Sequence, residues 1–327
     1  MQGQGSPHVG RGIACAFVGG VLWGFSGNCA EVLMLDYGLD VLWMTPARMF
    51  VAAALFLAVA LVRDRARLGA LLRDGRTMLR LVAYGIFGVL LMQVTYLYAI
   101  QYAGAGTALT LEQLCLLFVL AYVCAKARRL PNKGELAGIA FAAFGVVCIA
   151  TQGDVANLHA QAAGIAWGVA SGLAMALYNI LPMEPLERYG TPIVNGVGLL
   201  IGAIVCSAFT HPWTYEVDLP PEGWAVFAGL AVVGTFVAYF LYIQGVNDAG
   251  PMRASLLACS EPVTGTFVSA IWVGTAISSW DIAGLVSIVM MVFLVVLSGR
   301  QGSVEPKADA DAGAGANDAK PERTAAD

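Results

Sequence analysis

Four ionisable side chains stand inside long apolar runs of this chain: Glu31, Arg48, Glu112 and Glu261. A charge at the centre of a hydrocarbon layer costs about 2.5–3.5 kcal/mol on insertion scales. Each therefore marks a candidate site. A carboxylate such as Glu112 or Glu261 can bind a substrate ammonium or carry a proton across the layer. Glu261 precedes Pro262, and its alternative role is to stabilise a helix broken by that proline. Arg48 can grip a substrate carboxylate through two parallel hydrogen bonds. The reading the sequence favours for it is a structural ion pair with Glu31 or Glu112; snorkelling of its long stem is a third. Trp23, Asn28, Tyr178 and Asn179 complete the candidate binding set, because rings and amides combine apolar area with fixed polar groups. The competing reading is that the rings pack and the amides join helices.

The elements that must position these groups are membrane-spanning helices. The chain has 327 residues, 58% of them hydrophobic and only 12% charged, with a mean hydropathy of +0.72. An average soluble domain is about a quarter charged, so too little polar surface exists to cover a soluble globule. A spanning helix needs about 20 apolar residues. Ten stretches qualify: 13–35, 41–62, 79–101, 105–125, 134–151, 162–182, 191–210, 223–245, 252–275 and 281–298. The first is too long and too poor in cations for a cleavable leader.

Charge placement orients them. With a cytoplasmic N-terminus, Arg11, the cluster Arg63–Arg80, the cluster Lys126–Lys133, Arg188, Arg253 and the cations from Arg300 onward all fall inside. That accounts for 17 of the 18 Lys and Arg; Arg48 is the other. The outer connections carry none. Such asymmetry fixes both termini on the cytoplasmic side. Glu112 and Arg48 then lie about 10 Å below the outer edge, and Glu261 a similar distance above the inner edge. The two basic clusters can also bind anionic lipid headgroups. Residues 300–327 are rich in Ala, Asp, Gly and Pro, too polar to offset their ordering entropy; a disordered tail is expected there.

The two halves resemble each other. Gly20-Val-Leu-Trp23-Gly24 answers to Gly164-Ile-Ala-Trp167-Gly168, and Thr45-Pro46 to Thr191-Pro192. Glu112-Gln113 answers to Glu261-Pro262, and Glu135-Leu-Ala-Gly138 to Asp281-Ile-Ala-Gly284. Ile100-Gln101 answers to Ile243-Gln244 only if the later connection is about six residues longer. Five helices per repeat is an odd number, so the second half runs inverted relative to the first. Inverted repeats characterise secondary transporters, with sites near the midplane. The expected organisation is an inner N-terminus (1–12), a first repeat (13–151), an outer linker (152–161), a second repeat (162–299) and the tail.

Taken with Pro46-Ala47-Arg48 and Ala254-Ser-Leu-Leu257 leading to Glu261-Pro262-Val263, these motifs resemble the drug/metabolite transporter superfamily, and within it the EamA-type permeases. The resemblance implies a ten-helix plasma-membrane permease with both termini on the cytoplasmic side, moving amino acids and related metabolites, often outward. This chain departs from the family pattern at Glu112-Gln113-Leu114-Cys115, where a proline is usual.

Other chemistries find no residues. No GxxxxGK[ST] nucleotide loop or GxSxG elbow occurs. His8, His159 and His211 lie near ends or outer connections and build no metal cluster. The seven cysteines are odd in number, contain no CxxC and lie in apolar stretches. No cofactor is called for, and a net charge of −4 excludes a nucleic-acid partner. The expected function is a secondary permease exporting small polar metabolites by alternating access, with Glu112 and Glu261 as candidates for proton coupling. An uncoupled facilitator differs from it by failing to accumulate substrate. A membrane-embedded enzyme would need a nucleophile–base or metal constellation, and a scaffold would not need paired midplane carboxylates. The small-xxx-small spacings of its 38 glycines permit close helix approach, and a homodimer is left open.

Overall fold

In the computed structural model, residues 9–153 and 158–299 are described; the expected tail and parts of the N-terminus and outer linker lie outside them. Helix is the regular structure of the described residues, joined by short connections, with no strand among them. In order they form α1 (Val9–Leu35), α2 (Val41–Arg63), α3 (Arg65–Arg73), α4 (Gly75–Ala83), a π-helical stretch Tyr84–Leu90, α5 (Leu91–Glu112), α6 (Cys115–Ala127) and α7 (Lys133–Thr151). The second half contributes α8 (Leu158–Ile180), α9 (Met183–Tyr189), α10 (Thr191–Thr210), α11 (Pro221–Ala228), a π-helical stretch Gly229–Val237, α12 (Ala238–Ala249), α13 (Pro251–Leu257), α14 (Ser260–Val268), a π-helical stretch Ser269–Val273 and α15 (Ser279–Gly299).

Polar residues start the helices where the sequence leaves its apolar runs. Asp40 accepts the Leu42 N–H at 2.7 Å ahead of α2. Asn132 and Glu135 cap α7 reciprocally, and Arg129 clasps Glu135 through two bonds of 2.7 Å. Such caps satisfy N–H groups that a helix start leaves orphaned.

Eight helical runs among the described residues are long and apolar enough to cross a membrane. The chain is a multi-pass membrane protein. The count differs from the ten stretches read in the sequence for two local reasons. Gly75–Ala127 forms one run of 53 residues, in which two helices meet at Gly104 (φ 76°, ψ 161°). That backbone geometry is open essentially to glycine alone. The stretch 252–275 is divided at Ala258–Cys259 into α13 and α14, pieces too short to qualify separately.

Packing pairs one half with the other: α5 lies on α8, α1 on α12, α2 on α10 and α7 on α15. The close approaches are made at glycine. A Cβ at Gly24 would sit 2.9 Å from both Gly265 N and Thr264 Cβ on α14. One at Gly168 would sit 2.8 Å from Leu111 Cβ on α5. Polar bonds knit the cation-rich face. Asp74 accepts from Arg188 and Tyr189 at 2.9 Å each, Arg80 pairs with Glu184, and Arg11 bonds Asp248 at 2.8 Å. At the cation-poor face Gln152 bonds Asp281 and Ser278, joining the end of α7 to the start of α15.

Candidate functional site

The helices enclose a cavity of about 460 Å³. Its walls come from both halves: Trp23 and Ser26 of α1, Arg48 and Phe56 of α2, Gln93, Tyr96 and Glu112 of α5, Tyr178 and Asn179 of α8, Asn195 of α10, Tyr239 and Tyr242 of α12, and Glu261 of α14. It extends to Pro182 and Leu186, beside the cation-rich face. Toward the cation-poor face a dense apolar cluster including Leu33, Val41, Met44, Leu97, Leu109, Leu219 and Phe227 lies across the bundle.

Six of the seven candidate binding residues line this cavity: Trp23, Arg48, Glu112, Tyr178, Asn179 and Glu261. Asn28 is not on its wall. It is fully buried, and its amide donates to Gly24 O at 2.9 Å and across to Gly265 O at 3.2 Å. That geometry joins α1 to α14, the helix-joining alternative read in the sequence.

Glu112 is the last residue of α5, immediately before the turn at Gln113–Leu114. Its Oε1 accepts from Ser171 Oγ at 3.1 Å. A helix C-terminus carries partial negative charge, so a cation bound beside Glu112 meets two favourable partners. Glu261 lies in the first turn of α14, where the helix dipole favours an anion. The two carboxylates thus flank two helix breaks, one from each half.

Arg48 corrects the ion-pair expectation. Among the described residues it forms no salt bridge, and its Nε and Nη1, buried at the cavity wall, have no hydrogen-bond partner. Its two intended partners bond elsewhere. Glu31 Oε2 is taken by Ala105 N–H at 3.1 Å and Ser269 Oγ at 3.0 Å, while Glu112 is held by Ser171. The guanidinium instead rests 5.8 Å from the centre of the Tyr96 ring.

Sequence reasoning missed Tyr84, Gln93, Tyr96, Asn195, Tyr239 and Tyr242 on the cavity wall. Tyr84 and Asn195 are tied by a 2.6 Å hydrogen bond. Buried amides inside apolar runs, Gln93 and Asn195, were a readable signal. The tyrosines were not, because tyrosine is as common in lipid-facing belts as in cavities.

Comparison with known proteins agrees with this architecture. The EamA-like transporter family profile matches residues 10–151 and 162–297. An uncharacterized inner membrane transporter of Salmonella typhimurium, YicL, is 26% identical over 89% of this chain and 97% of its own length. An uncharacterized transporter of Bacillus subtilis, YyaM, is 26% identical over 75% of this chain and 81% of its own. A protein of known crystal structure superposes with a TM-score of 0.60 at 17% identity, over 89% of this chain and 98% of that one, a likeness of fold. With two matches that together take in both halves, the chain belongs to the EamA-like transporter family.

Proposed function

We propose that this protein is a secondary permease that exports a small polar metabolite, an amino acid or derivative, across the plasma membrane by alternating access. The observation that carries the proposal is the 460 Å³ cavity. Both halves of the chain contribute polar and ionisable groups to it, and a dense apolar cluster lies on its cation-poor side.

Ten crossings in two inverted repeats are the arrangement this reading needs. A continuous helix of 53 residues would be about 80 Å long, far more than the ~30 Å hydrocarbon core. A reversal at Gly104 gives two crossings instead. Gly250 (φ 89°, ψ 153°) stands before α13 as Gly104 stands before Ala105, and helix breaks follow both at Gln113–Leu114 and Ala258–Cys259. The tryptophans that answer to each other each pack on a tyrosine of the other half. Trp23 lies 5.0 Å from Tyr242, and Trp167 lies 4.9 Å from Tyr98. One pair lies at the open cavity, whereas Trp167 packs against the cluster toward the cation-poor face. An inverted repeat caught open on one side has this asymmetry. The breaks also refine the repeat alignment: Glu112 precedes its break and Glu261 follows its own, so the two carboxylates sit about a turn apart from strict equivalence.

The positive-inside bias puts the cation-rich face and both termini in the cytoplasm, with the cavity accessible from that side. Glu112 and Glu261 are the proton-coupling candidates, and Arg48, Trp23, Tyr178 and Asn179 the remaining ligands. Membrane lipids are the other partners of this reading. Counterflow in proteoliposomes tests it, with a labelled amino-acid and metabolite pool and empty vesicles as control. Selective exchange of one compound is expected. Glu112→Gln and Glu261→Gln are expected to reduce it or alter its pH dependence; no change in either variant refutes the site.

A further inference from the structure

A second, smaller pocket of about 40 Å³ shares no lining residue with the large cavity. It lies on the cation-poor side, against Thr275, Ala276 and Ile277 of the connection that precedes α15. Five of its twelve lining residues carry hydroxyls: Thr107, Thr110, Thr266, Ser269 and Thr275. At its floor, Ser269 Oγ is 2.9 Å from Thr275 Oγ1 and 3.0 Å from Glu31 Oε2. A serine hydroxyl has one proton to give. When Ser269 donates to Glu31, Thr275 is therefore the donor to Ser269. The three oxygens form an ordered chain from the pocket to a carboxylate that is only 4% exposed.

We propose that Glu31 is a proton-exchange site reached from the outer face through Thr275 and Ser269, and that its ionised form holds that face closed. The site is distinct from Glu112 and Glu261, which line the other cavity. The term outer, and the use of the proton in transport, rest on the permease reading above.

The transfer is a simple relay. A proton from pocket water binds Thr275 Oγ1 as that hydroxyl passes its own to Ser269 Oγ, which passes its own to Glu31 Oε2. The net change is one proton moved from water to carboxylate. In its ionised form Glu31 accepts the Ala105 N–H at 3.1 Å as well as Ser269. It so ties α1 to the turn after Gly104 and to the stretch Ser269–Val273. A protonated carboxyl has less acceptor capacity and one donor, so protonation weakens this three-way tie.

Position supports the assignment. The sequence offset that carries Gly24 to Gly168 carries Glu31 to Met175, and Met175 lines the large cavity. Glu31 therefore stands where the wall of an outward-facing cavity would run. The other titratable groups on helices packed against α1 are engaged elsewhere. Tyr96, Glu112, Tyr239, Tyr242 and Glu261 line the large cavity, Arg11 pairs with Asp248, and Tyr98 stacks on Trp167. Cys29 is buried in the apolar cluster, while Tyr102, Glu222 and Arg253 are exposed. Asp281, on the pocket wall, is held by Gln152 and Ser278.

Infrared titration of the full-length protein, reconstituted in one orientation, tests this without any transport substrate. The signal is the carbonyl stretch of protonated carboxyl groups. Acidifying the outer bath alone is expected to raise a band in wild type, Glu112→Gln and Glu261→Gln, and Glu31→Gln is expected to lose it. Thr275→Val and Ser269→Ala are expected to slow exchange of that band with outer heavy water, and Thr275→Val, in a connection, keeps the test available if Glu31→Gln misfolds. A band that survives Glu31→Gln, that answers only the inner bath, or that exchanges unchanged in both relay variants overturns the proposal. So does removal of the band by sodium at fixed pH, which would make the pocket a sodium site. Failure of the counterflow assay leaves these readouts standing, so the two readings fail separately.

Discussion

Replacing Arg48 by methionine should make the empty protein more stable and the working protein inactive. Arg48 is 6% exposed, and its Nε and Nη1 have no hydrogen-bond partner. Each buried N–H left unpaired costs about 1–3 kcal/mol, so the two together cost roughly 2–6 kcal/mol. The Tyr96 ring, 5.8 Å from the guanidinium carbon, returns about 0.5–2 kcal/mol of that as a cation–π contact. Methionine keeps an unbranched stem of similar length and removes the N–H groups. The expected gain is the difference of the two, roughly 0–5.5 kcal/mol. A structural ion pair predicts the opposite sign, because removing one partner of a buried pair costs about 3–5 kcal/mol. Equilibrium unfolding of the detergent-solubilised protein without substrate reads the sign. Counterflow of the substrate reads the loss of function, with Arg48→Lys keeping a charge but losing the two-pronged grip. Destabilisation by 3 kcal/mol or more, on the scale of a broken buried pair, would refute the ligand role. So would undiminished counterflow by Arg48→Met.

Three further outcomes follow from particular contacts. Asn28→Ala removes the bond from α1 to Gly265 O and should cost about 0.6 kcal/mol, at most about 1.7, with substrate affinity unchanged; binding to the folded variant checks this. Gly104→Ala forces a side chain into φ 76° and brings its Cβ to 3.0 Å from Glu31 Oε1; thermal unfolding should show a loss of about 1–3 kcal/mol. Asp74 is held down to about 2, from an ordinary 3.8, chiefly by the Thr77 hydroxyl, then by the Thr77 N–H and the Tyr189 hydroxyl. A depressed carboxyl contributes stability that is full above its unfolded value and lost as pH falls through the folded one. Asp74→Asn should therefore lower stability at neutral pH, and its difference from wild type should shrink as pH falls from about 4 and vanish only below about 2, read in melting curves against pH.

The sequence by itself determined that this chain lives in a membrane and where most of its long helices lie. Hydropathy and cation placement are one-dimensional signals, and a bilayer imposes helix on any apolar run that crosses it. It also selected the ionisable groups, because each costs free energy to bury and so is seldom there without a role. Assigning those roles needed helix rotation, which no linear pattern encodes when hydrophobicity surrounds a helix on every side. Tertiary structure turned Asn28 away from the cavity and gave its amide to Gly265. It also brought Tyr84 and Asn195 together from opposite halves of the chain. The same packing left Arg48 without an ion pair among the described residues, while Glu31 accepts from Ala105 N–H and Ser269. A buried donor or acceptor takes the nearest partner its backbone allows, and only the folded bundle says which partner is nearest.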